Sequence, residues 1–206
     1  MRSALASLIS ITLAAAAPAL AADDAGCAIA RVRVAAGVAT YAADCRWPVA
    51  ARFVAAIVGD PKQIAAASTM LAESTRLADG RVLNVHSPGW PIGDRQSTLA
   101  IEKKPLADGG LLLSYRLALK QAPLGKGRVQ ARRDDGRWEI RGDASGGVRV
   151  LYETTYDAGG SLPVALVQRT LRASVAESLA ELRTAAEALA RNQAARAGAT
   201  GSAAPR

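Results

Sequence analysis

Gly89-Trp90-Pro91-Ile92-Gly93-Asp94-Arg95 and, about sixty positions later, Asp157-Ala158-Gly159-Gly160-Ser161-Leu162-Pro163 organise the reading of this chain. The first stretch breaks a strand pattern with Pro and Gly, then restarts a strand on a charged pair. The second joins a strand to the one long helical pattern in the sequence. Neither presents a nucleophile beside a base, so neither reads as catalytic.

Between and around these stretches, from Ser68 onward, the apolar period is two. Turn signals at Ala78-Asp79-Gly80, Ser87-Pro88-Gly89, Asp108-Gly109-Gly110, Gly125-Lys126-Gly127, Asp134-Asp135-Gly136 and Ser145-Gly146-Gly147 cut it into segments. Strands are expected over 69–77, 81–87, 95–104, 110–120, 127–133, 137–142 and 147–156, an antiparallel meander. After the second stretch, Ser161 can cap a helix with Pro163 in its first turn. Val164, Val167, Leu171, Val175, Leu179, Leu182, Ala186 and Leu189 then form one apolar stripe.

Upstream of the meander, Val49, Phe53, Ala56 and Ile57 can share one face of a short helix, and Asp60-Pro61 opens a second that runs through Ala67. Before them, 27–46 reads as a hairpin. Folding the chain about Ala36 within Ala35-Ala36-Gly37 sets Cys27 opposite Cys45. Hairpin, short helices, strands and a long terminal helix imply an α+β fold in which a curved antiparallel sheet wraps the C-terminal helix.

Met1-Arg2, an uncharged stretch from Ala4 to Ala17 and the small-x-small pattern Ala19-Leu20-Ala21 read as an export signal, residues 1–21. The domain is then 22–190, and 191–206, rich in Ala, Gly and Arg without a stripe, is expected to be a disordered tail. Export places the protein in the periplasm or outside the cell, where Cys27 and Cys45 would form a disulfide stabilising the fold by about 3 kcal/mol. With one His in the chain a zinc site lacks ligands, and no metal or other cofactor is expected.

The formal net charge of +8 falls to about +4 on the folded body once Arg2, Arg191, Arg196 and Arg206 are set aside. That is enough for transient contact with an anionic membrane surface. The basic residues form no dense cluster, and aromatics make up only 4% of the chain, which argues against nucleic acid as a partner. A monomer is expected.

Alternation assigns the faces. Leu111, Leu113, Tyr115, Leu117 and Leu119 point toward the helix if Arg116 faces water. Trp138 and Ile140 do so on the next strand, and Val148, Val150, Tyr152, Thr154 and Tyr156 on the last. Alternation does not distinguish a filled core from a hollow one. Arg95 does bear on the question, because if Leu99 and Ile101 face inward, so does its guanidinium, and a buried guanidinium needs partners. Glu73, two strands earlier, is one candidate and the adjacent Asp94 the other. A surface Arg at a strand end is the alternative.

The two opening stretches resemble those of the START lipid-transfer domain, whose usual forms are a Pro-aromatic-Pro turn leading to Asn/Asp-Arg-Asp and an Asp-Pro-Gly-Gly-x-Ile-Pro junction. The resemblance covers roughly 48–185. It implies a helix-grip fold with a tunnel that holds one lipid or other hydrophobic molecule. Arg95 matches the arginine that in several members pairs with an acidic residue inside the tunnel. The lining expected on this basis comprises Glu73, Arg95, Leu99, Leu113, Tyr115, Trp138, Val150, Tyr152 and Leu171. Two positions depart from the pattern: Gln96 stands where an acidic residue usually follows the Arg, and Ala165 where a Trp usually follows the junction. Release would require the helix beginning at Ser161, or the loop 88–93, to move.

Two other functions are compatible with the same residues. The wider helix-grip superfamily includes polyketide aromatases and cyclases, and such chemistry would use Arg95, Tyr115, Tyr152 and His86. A solid-cored envelope interaction protein is the third reading. His86, the sole histidine, is expected at a strand end as a satisfied or exposed side chain rather than a base. No Gly-x-Ser-x-Gly elbow is present.

Overall fold

The computed structural model describes residues 26–35, 38–89, 92–161 and 163–201; the expected signal peptide, the hairpin tip at 36–37 and residues 202–206 lie outside them. The chain begins with β1 (Cys27–Ala35) and β2 (Val38–Trp47), paired antiparallel with Cys27 directly opposite Cys45 and joined there by a disulfide. Ala35 pairs with Val38, so the tip is one residue shorter than the sequence implies. A register shift between Arg31 and Arg33 absorbs the difference, because a bulge takes up one unpaired residue.

Two short helices follow, α1 (Ala51–Gly59) and α2 (Pro61–Ala66). α1 buries Phe53, Val54, Ile57 and Val58. Asp60 separates the two helices and accepts hydrogen bonds from the Lys62 and Gln63 amides, with Pro61 at the first helical position as the sequence predicts.

The meander then runs β3 (Leu71–Arg76), β4 (Val82–His86), β5 (Arg95–Pro105), β6 (Leu111–Leu117), β7 (Val129–Gln130), β8 (Arg133–Gly142) and β9 (Val148–Asp157). The described strands form one nine-stranded sheet in the order β1-β2-β9-β8-β6-β5-β4-β3, with β7 pairing parallel to the start of β5. All other pairings are antiparallel.

Three expectations need correction here. The strand expected over 127–133 is reduced to the two residues of β7, which pair parallel to β5, so β6 meets β8 directly. Strand β6 ends at Leu117, and Leu119, expected to point inward, stands fully in solvent on the loop that follows. Asp134-Asp135-Gly136, expected as a turn, lies inside β8. The Asp134 carboxylate is buried and accepts from Ser97 Oγ at 2.6 Å, which offsets part of the cost of placing Asp there. Gly136 is required at its place for packing, since a Cβ there would stand 2.5 Å from Tyr115 Oη.

The last strand passes through Gly159 and Gly160, both at positive φ, into α3 (Val164–Gly201). A side chain at Gly159 would lie 2.3 Å from the Gln130 carbonyl oxygen, so the junction and β7 approach as closely as backbone allows. The helix continues well past Arg191, where a disordered tail is expected. Alanine has the highest intrinsic helix propensity, so this segment stays helical without an apolar stripe to bury, and 191–197 are exposed.

The core is not uniform along α3. Val175, Leu179, Leu182 and Ala186 pack against α1 and the β1, β2, β6, β8 and β9 end of the sheet, with Trp47, Val54, Ile140, Val148 and Val150 fully buried among them. This end is filled.

Candidate functional site

Toward β3, β4 and the start of β5 the interior opens. On α3, Thr170, Ser174 and Ser178 recur at four-residue spacing on the face turned to the sheet, and short side chains there leave space that leucines would fill. Ser174 Oγ donates to the Thr170 carbonyl at 2.9 Å, so its hydroxyl is satisfied within the helix.

Three adjoining lobes result. The first, about 120 Å³, lies beneath this part of α3 and is lined by Met70, Pro88, Ile92, Leu171 and Val175 among others. The second, also about 120 Å³, lies over β4, β5 and β6 and reaches Leu71, Val82, Leu99, Leu113 and Trp138. The third, about 90 Å³, lies between α2 and α3 beside Ile64, Leu71 and Leu182. His86 lines all three. It shares the inward face of β4 with Val82 and Asn84, so the expectation of an ordinary strand-end histidine gives way to a residue at the junction of the lobes.

The lining is mostly apolar, yet a polar group gathers at the first lobe. Asp134, almost fully buried, approaches His86 Nε2 to 3.6 Å. Arg95, equally buried, turns Nη1 onto the carbonyl oxygens of Ile92, Gly93 (3.2 Å) and Asp94 (3.4 Å). Its Nε has no hydrogen-bond partner, nor does His86 Nε2 or the Tyr156 hydroxyl. Burial pushes the Tyr156 hydroxyl far above the ordinary tyrosine range, reinforced by the Asp134 charge and opposed by that of Arg95.

Beside this group, Tyr115 Oη lies 3.1 Å from Tyr152 Oη and donates to Thr154 Oγ1 at 3.1 Å. Burial also raises both of these hydroxyls, Tyr115 the more strongly. Tyr152 stacks on Trp138 with ring centroids 3.9 Å apart.

Of the residues expected to line a tunnel, Arg95 and Leu171 lie on the first lobe, and Leu99, Leu113, Tyr115 and Trp138 on the second. Tyr152 stands behind Trp138, and Val150 belongs to the filled core. Glu73 does not meet Arg95. It pairs with Arg128 at 3.2 Å, and Asp94 takes the Ser87 hydroxyl at 2.5 Å, so neither candidate carboxylate partners Arg95. The guanidinium is held by the backbone of its own turn instead. Asp134 is the acidic residue of the cavity. Its turn-like neighbours concealed it, although two-residue alternation back from Trp138 places it on the inward face. Tyr156 had the correct face but no assigned role.

On the opposite face of β5, Gln96 and Thr98 are buried under the loop 118–128. Gln96 donates to the Pro123 carbonyl at 2.9 Å, Thr98 Oγ1 accepts from the Ala122 amide at 2.9 Å, and Gln121 Oε1 accepts from the Thr98 amide at 2.8 Å. The loop is thereby fixed while presenting Leu119 and Leu124, the large apolar side chains exposed among the described residues. Residues 116–132 carry Arg116, Lys120, Lys126, Arg128 and Arg132 and no acidic residue.

No family model and no curated protein sequence matches the chain. Solved structures do. A STAR-related lipid transfer protein from Xanthomonas axonopodis superposes with a TM-score of 0.70 at 24% identity, covering 82% of this chain and 97% of that one. Human STARD10 gives 0.69 at 14% identity over 81% and 71% of the two chains. The Zhui aromatase/cyclase from a Streptomyces species gives 0.55 at 14% identity over 73% and 94%. What they share with the chain is the fold, a START-like helix-grip domain.

Proposed function

We propose that the protein binds one lipid or other hydrophobic molecule between the sheet and α3, with the molecule's polar end at Arg95, Asp134, His86 and Tyr156. The observation that carries this reading is the convergence on one apolar cavity of Arg95 Nε and the Tyr156 hydroxyl, both without a hydrogen-bond partner, and His86 Nε2, whose nearest acidic group is Asp134 at 3.6 Å. Each such atom costs about 1–3 kcal/mol when left unpaired, and a ligand's polar end would supply the missing partners.

Apolar contact provides the affinity. At about 0.8 kcal/mol per buried methylene, a sixteen-carbon chain gains at most on the order of 13 kcal/mol on leaving water. No lobe alone reaches the ~300 Å³ at which ligand pockets begin, so a bound chain must run through more than one lobe around His86. Movement at the start of α3 would admit it; the other expected gate, the loop 88–93, includes Trp90 and Pro91, which lie outside the described residues.

The setting is the bacterial envelope after export, where the Cys27–Cys45 disulfide persists. Among the described residues no helix is long and apolar enough to cross a membrane. Transfer between membranes would begin at an anionic bilayer, contacted by Leu119 and Leu124 with the lysines beside them. Two apolar side chains on a fixed basic loop fit such a surface.

Native mass spectrometry of protein purified from its own envelope should give a bound mass in the lipid range. Arg95→Leu should reduce its occupancy. An apo mass alone under conditions that preserve other lipid complexes would remove the proposal. A second reading, ring-forming chemistry on a polyketide-like carbonyl compound, draws on the Tyr115, Tyr152 and Thr154 hydroxyl chain beside His86. There, Arg95→Leu would abolish turnover while leaving binding largely intact.

A further inference from the structure

The second lobe has an end remote from Arg95. On β5 the inward row that starts at Arg95 runs through Leu99 and Ile101 to Lys103, about 27 Å of strand length away, and on β3 the row of Ser74 reaches Arg76. Arg76 and Lys103 line this lobe and are exposed, so here the lobe meets solvent, beside the α1 terminus at Gly59.

Among the described residues neither cation enters an ion pair. Lys103 Nζ donates to the Gly59 carbonyl and Arg76 Nη1 to that of Gly80 at 3.4 Å, which leaves further donors on each. Asn84, also on the lobe, accepts from Ser74 Oγ at 2.7 Å through Oδ1 and keeps its amide nitrogen as a donor. Partial burial of the Lys103 ammonium lowers it below the ordinary lysine value, the Arg76 charge lowers it further, and Asp60 opposes both. The Asp60 carboxylate is turned onto the Lys62 and Gln63 amides, and Asp134, the carboxylate of this lobe, stands at its His86 end.

We propose that this rim is an anion site, where Arg76 and Lys103 hold the phosphate or carboxylate end of a bound amphiphile while its chain runs inward along Val82, Leu99 and Ile101. The inference rests on the ligand-binding reading above and extends it, because a molecule reaching both ends of the cavity is polar at both. Two cations with spare donors suit a phosphate ester before a carboxylate, since the ester carries close to two negative charges at neutral pH. An anion between them would also relieve their mutual repulsion.

The test titrates delipidated protein with dodecyl phosphate, dodecanol and inorganic phosphate by isothermal calorimetry at neutral pH. Wild type should bind dodecyl phosphate about tenfold more tightly than dodecanol, and raised salt should narrow that ratio. Arg76→Gln and Lys103→Gln should each lower it by about fivefold, the scale of one solvent-accessible ion pair, and either suffices if the other does not fold. Lys104→Gln removes the same charge from the outward face of β5 and should leave the ratio unchanged, which separates a local contact from net charge. A ratio unmoved by the rim variants, or moved equally by Lys104→Gln, would overturn the rim site while leaving ligand binding intact. Inorganic phosphate binding as tightly as dodecyl phosphate would make the rim a site for the free anion and overturn its link to the cavity. Failure of both amphiphiles to bind would overturn the cavity reading and this inference with it.

Discussion

Replacing Ser178 with Leu tests whether the space beneath α3 is empty. Ser178 lines both the first and the third lobe. Comparison with Ser178→Ala removes the change in helix propensity, because Ala and Leu rank together at the top of that scale. Relative to Ala, Leu adds three carbons. In empty space each contributes up to about 0.8 kcal/mol, a ceiling near ~2.4 kcal/mol that half-burial lowers to about 1–2 kcal/mol of added stability. In a filled core the same atoms would cost about 1–3 kcal/mol through overpacking, so the two cases differ in sign. Urea denaturation of delipidated protein gives the difference, and a thermal midpoint rise of about 2–4 °C per kcal/mol is expected for a chain of this size. Bound lipid mass should fall in the same variant, since the leucine occupies the ligand's place. A Leu variant less stable than the Ala variant by about 1 kcal/mol or more, with lipid occupancy unchanged, would refute the argument.

Other outcomes follow from single features. Tyr115, Tyr152 and Tyr156 are held neutral by burial above the ordinary tyrosine value of 10.0, so their contribution is complete below that pH and is lost as pH rises through it toward their raised native values. Stability above pH 10 should decline by about 1.4 kcal/mol per pH unit for each of them, and tyrosinate absorbance should rise together with unfolding. Tyrosinate appearing well before loss of the fold would contradict their burial. Reducing the Cys27–Cys45 bond should lower unfolding free energy by about 3 kcal/mol, with a Cys27→Ala/Cys45→Ala double variant insensitive to reductant; an unchanged denaturation midpoint in wild type would show that the cross-link contributes nothing. Leu119→Ser together with Leu124→Ser should weaken sedimentation with phosphatidylglycerol vesicles several-fold at an unchanged melting temperature, and raised salt should weaken the wild type as well. Vesicle binding indifferent to both would assign membrane contact elsewhere.

The positions of most strands and the terminal helix were legible because period-two alternation and Gly/Pro punctuation are local signals, whereas the pairing of β2 with β9 and of β7 with β5 joins distant segments and was not. Arg95 facing inward was legible from its phase with Leu99. Its partners were not, because they are carbonyl oxygens of residues 92–94, and backbone acceptors leave no mark in a sequence. Asp134 and Gly136 misled for a related reason. Asp-Asp-Gly is ordinary turn chemistry until Ser97 and Tyr115, distant in the chain, give those residues a place inside a strand. The division of the interior into a filled and an open end follows from Thr170, Ser174 and Ser178 beside Val175, Leu179 and Leu182. That division becomes visible only when the helix is set against particular strands.

This uneven footing makes α3 a lever. From Val175 onward it is anchored by valine, leucine and alanine contacts, whereas the turn from Thr170 to Ser174 rests over vacant volume. Hydrogen exchange should therefore be faster in the turn before Val175 than in the turns after it, as expected of a lever that works from one end of the sheet.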